Sequence, residues 1–99
     1  MSFAALHTGD RRLVILRLLA EDPDYAAGEA ILQTALARFG HGVSRDQVRT
    51  DFAWLAEQEL VTVEVVADSV HVARLTQRGA DVAAGRASVP GVRRPGPGD

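Results

Sequence analysis

The residues whose types and spacing could do chemistry cluster in Ser44-Arg45-Asp46-Gln47-Val48-Arg49-Thr50. The guanidinium of Arg45 or Arg49 is a planar fork of donors that matches the O6 and N7 acceptors of guanine. Gln47 and Thr50 add polar groups able to meet a base edge or a phosphate. The bland alternative is a solvated helix surface on which Arg45 and Arg49 pair with Asp46 or Asp51. Two further pairs stand later in the chain. Arg74 and Arg78 could hold phosphate or bridge to Asp81 or Glu64. Arg93 and Arg94 could follow phosphates or a minor groove, or serve only solubility.

Other chemistries find little support. The chain has no cysteine, so disulfides, thiolate metal sites and thiol nucleophiles are excluded. His7, His41 and His71 are too far apart in sequence for a ligand pair, and no metal is expected. His41, between two glycines, reads as a turn residue, and His71 as a strand residue facing solvent or the hairpin that forms the wing. G-x-S-x-G, H-E-x-x-H and phosphate-binding glycine loops are absent. The expectation is a protein that is not an enzyme and carries no cofactor.

The bulk composition places these residues in one ordinary domain. Of 99 residues, 46% are hydrophobic and 24% charged. No apolar run approaches a membrane span, and the N-terminus lacks the pattern of a signal peptide. A cytoplasmic protein without membrane contact is expected. Net charge is −2, and every basic residue is arginine. Residues 1–60 hold six arginines against nine acids, whereas 74–99 hold five against two. Attraction for phosphate would therefore be local.

The positioning elements follow from periodicity. Leu13, Leu16 and Ala20, widened by Ile15 and Leu19, mark a first helix. It runs from about 3 to 21, or starts later if Asp10 caps it. Asp22-Pro23-Asp24 ends it. Ile31, Leu32, Ala35, Leu36 and Phe39 mark a second helix from about 27 to 39, with Tyr25 at its start as a core residue or one packed on the first helix. Gly40-His41-Gly42 stops it. Ser44 and Gln47 form a capping box, so a third helix starts at 45, with Val48, Phe52 and Leu55 as its buried stripe. Asp46, Thr50, Ala53 and Glu57 lie opposite, flanked by Arg49 and Trp54. Trp54, at the stripe's edge, is expected to pack under the hairpin, the alternative being part of a partner surface.

Val61–Val66 and Val70–Leu75 alternate as strands of a hairpin with Ala67-Asp68-Ser69 as its turn. Thr76 caps a last helix of about 77–84. The expected domain is 1–86, and 87–99 reads as a flexible Pro/Gly-rich tail with almost nothing to bury.

Ser44 to Val61 resembles the recognition helix of bacterial winged-helix repressors of the ArsR and MarR type. Leu75-Thr76-Gln77-Arg78-Gly79 resembles the leucine-threonine-x-x-glycine that follows their wing. The whole chain, with Val89-Pro90-Gly91-Val92, is similar to short winged-helix proteins of Mu-like phages and prophages. The chain departs from the repressors at Glu59, where they place glycine, so the third helix is expected to run straighter into the strand. The resemblance implies an α+β, mainly α, winged helix-turn-helix: three-helix core, two-stranded wing, C-terminal helix. It implies a phage transcriptional regulator, a homodimer on double-stranded DNA. The expected contacts are Arg45, Gln47, Arg49, Thr50, Arg74, Arg78, Arg93 and Arg94, and Phe3 and Leu6 with the last helix form the expected dimer surface. The alternative is a winged-helix module that binds a phage or host protein and no DNA.

Overall fold

The computed structural model describes residues 2–98. Its elements are α1 (Phe3–Glu21), β1 (Ala26–Gly28), α2 (Glu29–Arg38), α3 (Arg45–Glu57), β2 (Val61–Val66), β3 (Val70–Leu75) and α4 (Gln77–Ala83). The fold is α+β and mainly helical, with four helices beside one antiparallel sheet ordered β1-β3-β2.

Helix α1 is continuous, capped by the Ser2 hydroxyl, which accepts from Ala5 N–H at 3.0 Å. It is the central helix. Leu13, Val14, Ile15, Leu16 and Leu19 are all buried, a wider face than a surface helix shows. Leu32 and Leu36 of α2 and Val48, Phe52 and Leu55 of α3 pack into the same core. Phe3 and Leu6 remain exposed.

The expected second helix begins two residues late. Ala26–Gly28 pair with Val72–Arg74 as a third strand, so the sheet is three-stranded where a two-stranded hairpin was expected. Tyr25 is not core: it is exposed, with φ of 56°. Its carbonyl accepts from Leu75 N–H at 2.7 Å, which fixes the entry into β1. Ile31 and Phe39 are also corrected. Ile31 is 69% exposed, because the inward line of α2 is Glu29, Leu32 and Leu36.

Helix α3 ends in a left-handed residue. Glu59 has φ of 62°, and Leu60 N–H bonds back to Leu55 carbonyl at 3.0 Å. The helix therefore turns sharply into β2 and does not run straight, although a non-glycine residue there costs roughly 1–2 kcal/mol. Leu60 is fully buried, and its carbonyl accepts from Thr76 N–H at 3.1 Å. A Cβ on Gly79 would stand 2.0 Å from that carbonyl oxygen, so the glycine of the Leu75–Gly79 stretch is required by close packing.

The segment after α4 corrects the expectation of a tail with nothing to bury. Val89 and Val92 are buried in the main core. Arg93 N–H donates to Gly9 carbonyl at 3.1 Å, and Gly91 carbonyl accepts from Arg12 Nη1 at 3.0 Å. Gly91, with φ of 98°, lies so close to Trp54 that a Cβ would meet its ring at 2.8 Å. The Arg12 guanidinium sits 3.7 Å from the Trp54 ring centre. Trp54 thus packs on Arg12 and Gly91, at the stripe's edge but under the C-terminal segment.

Candidate functional site

The core stripe of α3 fixes which way its polar residues point. With Val48, Phe52 and Leu55 buried, Asp46, Thr50, Ala53 and Glu57 are exposed on the outward side, while Arg45, three residues before Val48, is exposed because it opens the helix. Neither the hairpin nor the C-terminal segment covers them.

The charges of α3 go to three destinations. Asp51 turns inward and is 2% exposed. Its two oxygens accept from Arg11 Nε at 2.6 Å and Nη2 at 2.9 Å, a bidentate pair inside the protein. Asp51 therefore neither pairs with Arg45 nor presents a charge on the outer face. Arg49 turns sideways. Its Nε and Nη2 donate to the two oxygens of Glu29, and Nη2 also donates to Ser69 carbonyl at 3.1 Å. The alternatives of Asp46 or Asp51 as its partner are corrected by this long-range pair. Arg45, Asp46 and Glu57 are exposed to solvent and form no ion pair among the described residues.

Gln47 and Thr50 are engaged within the helix. Gln47 N–H donates to Ser44 Oγ at 3.0 Å, as the cap requires. Its side chain does not reach back to the serine; Nε2 donates to Asp51 Oδ1 at 3.2 Å. Thr50 Oγ1 donates to Asp46 carbonyl at 3.2 Å and stays exposed. Arg74 is exposed on β3 and donates to Asp24 carbonyl at 3.0 Å, and among the described residues it forms no ion pair with Asp81 or Glu64. Arg78 is exposed on α4, and Asp81 pairs with Arg86 instead. Arg94 is exposed, whereas Arg93 Nε donates to Asp10 Oδ1 at 2.7 Å. Of the eight sequence candidates, Thr50 lies on the outer face of α3, Arg45 is exposed at its first turn, Arg49 reaches the hairpin turn, and Arg93 is held against α1.

Sequence reasoning missed a second charged centre. His41 is buried, and its Nε2 lies 2.7 Å from Asp10 Oδ2. Its ring meets the His7 ring edge-on, centroids 4.6 Å apart. Asp10 thus joins the loop after α2 to Arg93 of the C-terminal segment. Burial resists its charge, but hydrogen bonds from His41 and Arg93 outweigh that and hold its carboxyl below the usual range. The signal for this was Gly40-His41-Gly42, which reads equally well as a plain turn. Glu29, at the first position of α2, was also missed. Among the described residues no cluster of three or more ligating side chains could hold a metal ion. No described helix is long and apolar enough to cross a membrane.

Comparison with known proteins gives relatives but no fold precedent. No family model matches the chain. No solved structure matches it. It is 58% identical over 90 residues to the uncharacterized protein gp26 of Escherichia phage Mu, which covers 91% of this chain and 92% of that one. It is 50% identical over 78 residues to an uncharacterized protein of Haemophilus influenzae, covering 79% of this chain and 76% of the other. With identity that high along nearly the whole of both chains, the protein belongs to the family of phage Mu gp26.

Proposed function

We propose that this is a winged-helix protein that binds duplex DNA and acts as a phage transcriptional regulator. In this reading α2, the short loop and α3 are the helix-turn-helix, α3 enters the major groove, and the β2–β3 hairpin is the wing. The observation that carries it is the open outer side of α3. Thr50 stands there uncovered and Arg45 is exposed at the N-terminal turn of the helix, while Asp51, one of the acids of α3 that would oppose phosphate, is turned inward onto Arg11. Arg45 takes the base-reading role and Thr50 a base or phosphate contact. Arg74, Arg78 and Arg94, all exposed, supply local positive charge. A homodimer on paired half-sites belongs to the same proposal, and the exposed Phe3 and Leu6 offer apolar surface for it.

The test is a fluorescence-anisotropy titration of labelled duplex. Binding is expected at about 50 mM salt, with affinity falling steeply as salt rises. Arg45→Ala is expected to cost about 1–3 kcal/mol of that binding. No retention of any duplex at low salt removes the proposal.

A second reading is a module that binds a phage or host protein. Asp46 and Glu57 share the outer face with Thr50, and Glu64 and Asp68 are exposed on the hairpin. Such a surface suits a basic protein partner better than a polyanion. The same titration separates the two readings.

A further inference from the structure

Glu29 is a buried carboxylate that the proposed DNA contact leaves without a role. It is the first residue of α2 and 2% exposed. Arg49 of α3 grips both of its oxygens, with Nη2 to Oε1 at 2.8 Å. The same Nη2 reaches Ser69 carbonyl, in the turn at the hairpin tip. From β3, His71 Nδ1 lies 3.7 Å from Oε2 and 3.2 Å from the Ser69 carbonyl oxygen. One carboxylate thus joins α2, α3 and the hairpin tip. The Arg49 hydrogen bonds hold that carboxyl below its ordinary range, so it is charged at neutral pH.

The tip has little else to hold it. Val65, Ala67, Asp68, Ser69 and Val70 are exposed, and Ala67 and Asp68 both adopt positive φ. Its own turn bond, Ser69 N–H to Ala67 carbonyl at 2.9 Å, fixes the shape of the loop but not its place beside α3. We infer that Glu29 and Arg49 form a clamp that sets the hairpin tip relative to α3, and that both are positioning residues for the duplex contact. This rests on the DNA-binding reading above. It assigns Arg49 a role different from base recognition: its Nε and Nη2 are already engaged, and a side chain so held orients the hairpin.

Charge and position predict opposite signs for one substitution. Glu29→Gln removes a negative charge near the duplex. If charge alone matters, binding tightens. If the clamp matters, binding weakens, because the tip is no longer held.

The experiment compares wild type, Glu29→Gln, Arg49→Met and the double variant by anisotropy against the same labelled duplex, with amide hydrogen exchange over residues 66–71. The expected result is about tenfold weaker binding for Glu29→Gln, the scale of one lost charge-assisted contact, with the salt slope unchanged. Arg49→Met adds nothing further in the Glu29→Gln background. Tip amides exchange at least about tenfold faster while α1 amides do not change. Binding by Glu29→Gln as tight as wild type or tighter overturns the inference, as does unchanged exchange at the tip. Absence of binding by wild type sinks the DNA reading instead, and the exchange result still decides the clamp. Should Glu29→Gln fail to fold, Glu29→Asp keeps the charge but loses the reach for a two-oxygen grip, and the same readouts apply.

Discussion

The C-terminal segment and the β2–β3 hairpin both leave the helical body, and the fold treats them in opposite ways. The segment has no regular secondary structure beyond α4, yet Val89 and Val92 are buried and Arg93 is tied to Asp10. The hairpin is regular, yet its tip is exposed. Regular hydrogen bonding and tertiary anchoring are separate properties. A hairpin satisfies its own backbone and can project. An irregular segment must take partners from the body it crosses, here Gly9 carbonyl and the Arg12 guanidinium.

The comparison breaks most visibly on deletion of residues 88–99. Burial of each valine contributes about 1.5–3 kcal/mol. The melting temperature by circular dichroism is therefore expected to fall by about 10 °C or more. An unchanged melting temperature would show the segment to be ornamental. Next comes the base of the hairpin. Gly79→Ala forces the backbone at Leu60 to move and is expected to destabilise by about 1–3 kcal/mol in a urea titration.

Gly91→Ala tests the segment more gently. Its φ of 98° and the 2.8 Å approach to Trp54 predict a loss of about 1–2 kcal/mol. Trp54 fluorescence should shift to the red as the ring gains water; emission identical to wild type would place the close contact elsewhere. Asp10→Asn gives a smaller effect, below about 1 kcal/mol, since Asp10 is partly exposed. The folded-state pKa of Asp10 lies below its ordinary 3.8, so its stabilisation is complete above that value and is lost as pH falls through the folded pKa. Melting curves of wild type and Asp10→Asn should therefore differ at pH 7 and converge in acid. At the hairpin tip, Ala67→Gly relieves a positive φ of 47° and should stabilise by roughly 0.5 kcal/mol. Destabilisation there would mean that the tip is packed rather than free.

Much of the scaffold was legible in the sequence. The Val48, Phe52, Leu55 stripe and the Ser44 cap place α3, and the alternation of 61–66 and 70–75 places the hairpin. β1 was not legible, because Ala26-Ala27-Gly28 has no β-branched residue and becomes a strand only by pairing with β3. Val89 and Val92 were hidden by their neighbours: two valines among prolines and glycines make no period. The site was less legible than the scaffold. Thr50 lies outward as the helix period requires, and Asp51, three residues from Val48 and four from Leu55, falls at the edge of the buried stripe. Nothing local shows that Arg11 meets it or that Arg49 pairs with Glu29.

The amino-acid sequence determined by itself where α3 and the hairpin begin and end, because caps, turns and apolar periods act over a few residues. Only the tertiary structure decided which charges face solvent. Arg11 and Asp51 are 40 residues apart, Glu29 and Arg49 are 20, Asp10 and His41 are 31, and Asp10 and Arg93 are 83. A charge leaves the surface only when a partner meets it through space, and that meeting depends on how every intervening element packs.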